Sequence, residues 1–417
     1  MITASVYDTI GAVGTGEWNA LTSGAVDQSH SYLSFRELVE PGGPVVAVAR
    51  EDGRLVAALH GSVTTARTAL FSHPWKMLAS SQFLRGSDPA DPASLARSAT
   101  HDWLLQRLGA GRGSTGPGDT PAWERLASAL GEVSVFRGFD TTAAAFPPDL
   151  ADTDRTRAVS ALLDALRDRY RGIALPFVHP RDQVLRDALD SSGFCRGVLT
   201  GVTVFDTSEV TSLEAFRAAQ PKSVRRRYRT DLDAFGAAGM SIRAMNIDDC
   251  LGRLVELEAA NLEKHGGTPD RARLAVTRSS MARLLGPSLR VIGIERDGAL
   301  TACGIDLVDE QNYLGLVYGC DYAAPDLPLA YRQLVCYEPL RYAIDHGLRQ
   351  VRMGFEAFEP KLYRGARLET RETWIWLPGE ATMASLADLL GFLSVRSLAY
   401  FGELVDTGSG QFLGALS

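Results

Sequence analysis

Apolar positions along the chain alternate between the two periods that separate strand from helix. Residues 44–50 (Pro-Val-Val-Ala-Val-Ala-Arg) form an apolar run that reads as a buried strand, and residues 55–60 read as its partner. Asp52-Gly53 between them supplies the positive φ that a tight hairpin needs. Residues 156–170 place Val159, Leu162, Leu163 and Leu166 on one helical face. A strand over 172–178, a short helix over 182–191 closed by Gly193, and a strand over 197–205 complete the first half. In the second half, helical spacing covers 212–219, 223–238, 247–265 and 271–285. Strands follow over 288–295 and 300–308, joined by a turn at Arg296-Asp297-Gly298, and then over 312–320. Residues 329–346 predict an amphipathic helix capped by Gly347. Strands over 350–354 and 370–377 and a helix over 381–401 end the pattern. A short helix is expected near 17–23, and the Gly-rich stretch 109–120 reads as a surface loop.

The two halves share a grammar of strand, Asp-Gly turn and strand, followed later by helix, strand and strand. Glu51-Asp52-Gly53-Arg54-Leu55 beside Arg296-Asp297-Gly298-Ala299-Leu300 is its clearest expression. An Asp-Gly hairpin is common, so the pattern leaves duplication open.

Composition narrows the class. At 417 residues, 45% hydrophobic and 22% charged, the chain can bury a large core over two to three domains, which excludes a mainly disordered protein. Its net charge of −7 excludes a protein that coats nucleic acid over its whole surface, so an RNA contact must be a local basic patch, and no DNA partner is expected. No run of 18 to 20 apolar residues occurs, so no membrane span is expected. The first residues lack the basic and apolar regions of a signal peptide. Five scattered cysteines without CxxC spacing, and seven histidines without ligand spacing, argue against disulfide, zinc and other metal frameworks. The expectation is a cytoplasmic protein with no metal and no permanently bound cofactor.

The order strand, Asp-Gly turn, strand, strand, amphipathic helix, short strand, last strand resembles GNAT-type acyltransferases. It is carried by Val291-Ile-Gly-Ile-Glu-Arg-Asp-Gly-Ala-Leu-Thr-Ala-Cys-Gly-Ile305, by Tyr313 to Tyr322, and by the helix through Tyr337-Glu-Pro-Leu-Arg-Tyr-Ala-Ile-Asp-His-Gly347. Met353-Gly-Phe-Glu-Ala-Phe-Glu-Pro-Lys-Leu-Tyr-Arg-Gly365 follows, and Pro221-Lys-Ser-Val-Arg-Arg-Arg-Tyr-Arg229 precedes. Together they resemble the tandem-GNAT group that includes the Fem-type aminoacyl-tRNA-dependent peptidyltransferases. The resemblance covers mainly residues 210–380. It implies an α/β (α+β) fold with two GNAT-like domains in tandem, 1–207 and 208–417, each with a mixed central sheet flanked by helices. It also implies acyl or aminoacyl transfer to the amine of a small acceptor, with an active site in the second domain. A coenzyme A-binding member has a Gly-rich loop before the amphipathic helix. Here Tyr322-Ala-Ala-Pro-Asp-Leu-Pro-Leu-Ala330 has no Gly, two prolines that remove donors, and Asp326 that repels phosphate. This favours aminoacyl-tRNA over acyl-CoA as donor. An acyl-CoA-dependent enzyme and a non-catalytic binding module are the alternatives.

Acyl transfer needs a neutral amine, a polarised carbonyl and a proton acceptor. The resemblance places Lys361 where it would stabilise charge on the donor, with Arg364 beside it. It also places Tyr318 and Asp321 at the end of a strand bordering the acyl slot, Asp321 as base and Tyr318 as a hydrogen bond to the carbonyl. Glu356 and Glu359 are alternative bases. Lys222, Arg225, Arg226 and Arg229 form the densest basic run and are candidates for phosphate contact; a solvated helix face neutralised by Asp231 and Asp233 is the competing reading. Glu258, Asn261 and His265 share a helix face and are candidates for the acceptor pocket, as are Trp75 and Lys76. For these the competing readings are a polar helix face and a packed turn.

Overall fold

A computed structural model describes residues 1–22, 24–80, 92–111, 120–141, 144–408 and 411–413. The core of the loop expected at 109–120, residues 112–119, lies outside the described residues. The strands in chain order are β1 (Ile2–Tyr7), β2 (Pro44–Glu51), β3 (Arg54–Val63), β4 (Ser134–Phe136), β5 (Ala144–Ala145), β6 (Ile173–Val178), β7 (Cys195–Asp206), β8 (Met240–Met245), β9 (Leu289–Arg296), β10 (Ala299–Val308), β11 (Asn312–Cys320), β12 (Gln350–Arg352), β13 (Arg367–Trp376) and β14 (Gln411–Leu413). They form one mixed sheet in the order β1-β2-β3-β4-β6-β13-β7-β12-β11-β10-β9-β8, with β5 on β3 and β14 on β13.

Each half starts from an antiparallel hairpin. Asp52 and Gly53 take φ of 50° and 83°, and Asp297 and Gly298 take 51° and 76°, so both Asp-Gly pairs make the turns their sequence requires. Each half also contains a short parallel pairing: two residue pairs between β4 and β6, and three between β11 and β12. The halves are joined at the centre. β13 comes from late in the chain, yet pairs antiparallel with both β6 and β7. The edge strands β1 and β8 lie outside the pattern reading although both alternate apolar and polar residues, Ile2-Thr-Ala-Ser-Val6 and Met240-Ser-Ile-Arg-Ala244, because so short an alternation with one covered face gives a weak signal.

Helices cover both faces. Asp152–Arg167 buries Val159, Leu162, Leu163 and Leu166, the stripe its periodicity predicts. Leu327–Arg332 and Glu338–Asp345 run on through a π-helical turn at Gln333–Tyr337. Glu380–Gly408 is long and apolar enough to cross a membrane by length and composition. One face buries Leu386, Leu389, Leu390 and Leu393 in the protein core, and 39% of its most apolar stretch is buried. The first half also holds the helices His30–Val39, Pro74–Ala79, Pro92–Arg107 and Ala122–Leu130, which the sequence pattern does not predict.

Helix Ile247–Lys264 lies against β11 at Gly319, where an added Cβ would come within 2.7 Å of the Glu258 backbone N and 2.8 Å of the Leu257 carbonyl carbon. Backbone cannot yield as a side-chain tip can, so Gly319→Ala is expected to lower stability by about 1–3 kcal/mol, measured by urea unfolding. The same substitution at solvent-open Gly252 should cost no stability.

Candidate functional site

Pairing between β11 and β12 ends at Leu314 and Arg352. Beyond it the chains part, and a cavity of about 700 Å³ opens between residues 315–318 of β11 and the loop 353–361. A bulge sets the β11 side. Ile305 pairs with Val317 but Asp306 pairs with Gly315, which leaves Leu316 as the extra residue. Gly304 pairs with Tyr318 next to the Asp306–Gly315 pair, so Asp306 and Tyr318 share one face of the sheet.

The loop on the other side is anchored at several points. Met353 N–H donates to Thr203 O at 3.0 Å, and Thr203 N–H donates to Gly354 O at 3.1 Å. Ala357 takes φ 48° before the short helix Phe358–Leu362, an uncommon conformation for a residue with a Cβ. Lys361 is buried, and its Nζ donates to Met353 O at 2.5 Å and Glu356 O at 2.6 Å. Burial pushes its ammonium down to about 8. Phe355 plugs an aromatic socket from the first half: ring centroids lie 4.6 Å from Phe71, 5.2 Å from Phe177 and 6.3 Å from Phe139. Phe177 itself holds φ 64°, a strained conformation for a bulky residue.

The candidates divide sharply. Tyr318, Glu356, Glu359, Lys361, Asn261 and His265 line the cavity. The Tyr318 hydroxyl is buried with no nitrogen or oxygen partner among the described residues and only the Cys320 thiol beside it, and desolvation drives its ionisation far above the usual tyrosine range. It therefore stays a proton donor. Asn261 accepts from Tyr322 Oη at 2.8 Å.

Asp321 does not line the cavity. Its carboxylate accepts from Ala323 N–H at 3.0 Å and Arg253 Nη2 at 2.9 Å, which hold it below the usual carboxylate range. That ion pair closes the end of β11 and makes a poor base. Arg364 turns inward, with Nη2 on Asp231 at 2.6 Å, and Asp231 also accepts from Arg332 at 2.7 Å and Tyr337 Oη at 2.5 Å. Arg364 is thus committed to a buried ion cluster rather than open to phosphate, and Asp231 does not neutralise the basic row. Glu258 is paired with buried Arg278 and ties helix Ile247–Lys264 to helix Arg271–Leu285. Trp75 is fully buried with Nε1 donating to Gly131 O at 2.9 Å. Lys76 Nζ donates to Ala66 O and Thr68 O, both at 2.7 Å. Both residues serve local packing.

Lys222, Arg225, Arg226 and Arg229 are exposed on helix Lys222–Ala237. Arg225 donates to Gln220 O at 2.8 Å; the other three form no ion pair among the described residues. The opposite face of that helix packs on the segment after Lys361: Tyr228 Oη donates to Arg364 O at 3.0 Å. Arg227 lies 4.5 Å over the Tyr363 ring. The start of helix Leu327–Arg332 offers little to a pyrophosphate. Pro325 and Pro328 carry no N–H, Leu329 N–H is bonded to Asp326 O at 2.8 Å, and the Asp326 carboxylate is held by Arg296.

Asp306 is a cavity residue that motif order does not mark. It is 2% exposed, lines the cavity, and accepts from Tyr313 Oη at 2.5 Å. Burial pushes its carboxyl up to about 7, against the pull of Tyr313 and Arg290. A carboxylate in the apolar strand Gly304-Ile305-Asp306-Leu307-Val308 was the available signal.

No protein-family model matches the sequence, and comparison with curated proteins finds no match. Solved structures do match. FemX has a TM-score of 0.54 at 9% identity, covering 87% of this chain and 96% of its own. A conserved protein of unknown function from Bacteroides thetaiotaomicron VPI-5482 has a TM-score of 0.53 at 11% identity, covering 90% of this chain and all of its own. A tandem GNAT protein from the clavulanic acid biosynthesis pathway has a TM-score of 0.45 at 13% identity, covering 91% and 99%. The chain has a mixed α/β, FemX-like fold, the kind of fold the strand grammar implied.

Asp306 links stability to pH. Between about pH 4 and 7 the native state keeps a proton that the unfolded chain has released, so this group's contribution to stability falls as pH rises through that window. Asp306→Asn still accepts from Tyr313 but carries no charge. It should melt above the wild type at pH 8, by up to about 4 kcal/mol, and near it at pH 4, read by thermal unfolding across pH.

Proposed function

We propose that the chain is a GNAT-type acyltransferase that moves an aminoacyl group from aminoacyl-tRNA to the amine of a small acceptor. The reading rests on the cavity at the β11–β12 splay, which opens beside a buried hydroxyl donor and a buried lysine. Tyr318 Oη donates to the ester carbonyl oxygen and stabilises the charge that builds there. Lys361 holds the loop that walls the slot. The amine nitrogen forms a bond to the carbonyl carbon, the ester C–O bond breaks, and a proton from the nitrogen passes to the departing ribose oxygen. The exposed row Lys222, Arg225, Arg226 and Arg229 supports a polyphosphate donor that approaches along helix Lys222–Ala237, while the occupied helix start at Asp326 disfavours coenzyme A. On this reading the halves divide at 207/208, with the chemistry in the second.

Filter binding of charged tRNA tests the donor. Four phosphate contacts predict a loss of roughly a hundredfold in affinity between about 50 and 200 mM salt. Arg226→Glu with Arg229→Glu should abolish retention without lowering the melting temperature. Stabilisation by an acyl-CoA, with salt-independent tRNA retention, would replace the donor; silence from both would favour a binding module. Tyr318→Phe should retain charged tRNA and lose transfer by about a hundredfold or more, read as amide formation on an amine panel.

A further inference from the structure

The acceptor side of the cavity carries its own chemical signature. Among the described lining residues, the carboxylates are Asp306 inside and Glu356 and Glu359 at the exposed mouth. Lys361, the lysine in the lining, already gives two of its three N–H groups to backbone carbonyls. The remaining wall is largely apolar and includes the aromatic residues Phe71, Phe139, Tyr331, Phe355, Phe358 and Phe401. Negative charge with π-faces suits an organic cation and disfavours an anion.

Asp306 is the focus of that field. Among the described residues, every other buried carboxylate in this half is bonded directly to a guanidinium: Asp231 to Arg332 and Arg364, Glu258 to Arg278, Glu338 to Arg290 and Arg341, and Glu372 to Arg186. Asp306 accepts instead from neutral donors, Tyr313 Oη and the Leu316 backbone N–H, with Arg290 behind the tyrosine at 3.2 Å from that hydroxyl oxygen. The groups that face it are therefore Tyr313 from β11, Arg290 from β9 and, beyond Arg290, Glu338 from the helix. Two glycines adjoin its oxygens, with the Met353 side chain packed over Gly315 and Ile292 over Gly304. A Cβ at Gly304 would sit 3.6 Å from Oδ2, and one at Gly315 would sit 3.6 Å from Oδ1.

We propose that this cavity takes its substrate as a primary ammonium on an apolar or aromatic body, and that Asp306 is the carboxylate that receives the ammonium and accepts its proton. One proton passes from nitrogen to Asp306 Oδ, leaving a neutral amine and a neutral carboxylic acid side by side. This deepens the transferase reading and rests on it for the identity of the cation as acceptor. The carboxyl's raised affinity for protons makes it a competent proton acceptor near neutrality.

The test uses the full chain and no donor. n-Hexylamine and phenethylamine are compared with 1-hexanol and phenethyl alcohol by thermal shift and calorimetry at pH 8. The amines should raise the melting temperature and the alcohols should not. Amine affinity should fall about tenfold per pH unit below about 7, where protons compete for Asp306. Asp306→Asn should weaken the amines at least tenfold, and Glu356→Gln a few fold. Gly304→Ala, which keeps the charge but narrows the approach, should also weaken them and stands in if the Asn variant does not fold. Alcohols binding as well as amines, no shift from any of the four compounds, or an Asp306→Asn variant that binds amines like the wild type would each overturn the proposal. Retention of charged tRNA is measured on the same preparation, so loss of the acceptor inference and loss of the donor reading appear separately.

Discussion

Backbone N–H and C=O groups must find partners, and between β11 and β12 they find each other for only three residue pairs. Beyond that point the protein has to supply substitutes. β7 takes one edge through Thr203, and Lys361 takes the carbonyls of Met353 and Glu356. Phe355 fills an aromatic socket that belongs to the first half of the chain. The cavity is what remains once these substitutions are made, and its walls come from both halves because neither half alone could satisfy the opened strands.

Charge is used in two distinct ways around this gap. Asp231, Arg332, Arg364 and Tyr337 form a closed cluster in which each charged group has a direct partner. Glu258 with Arg278 does the same between two helices. Such groups hold elements together, and their burial leaves no spare affinity for a ligand. Asp306 differs in having a neutral partner in contact and its cation one bond further away. Low local dielectric then raises the cost of its charge, which a cationic ligand would relieve.

The sequence pattern made most of the second half legible, because its helices carry clear stripes and its hairpin carries an Asp-Gly turn. It said less about the first half, where β4 has three residues and β1 is an edge strand. Among site residues, Tyr318, Glu356 and Lys361 could be located because they sit on a segment whose order is distinctive. Trp75, Lys76, Glu258 and Arg364 could not be separated from site residues by type alone. Their roles depend on partners 8 to 133 residues away, such as Thr68 for Lys76 and Asp231 for Arg364. Asp306 shows the converse: a lone acid inside an apolar strand carries information that motif order does not.

The position of β13 has a consequence for how the chain comes to be folded. Residues 367–376 lie between β6 and β7, strands that are complete by residue 206. During synthesis those two strands emerge some 160 residues before the strand that joins them. At roughly 5–20 residues per second, their edges wait on the order of ten seconds or longer without a native partner. Unpaired edges of that kind invite pairing with another chain. The interlock that unites the halves therefore makes the growing chain a natural client for chaperones until its last long strand arrives.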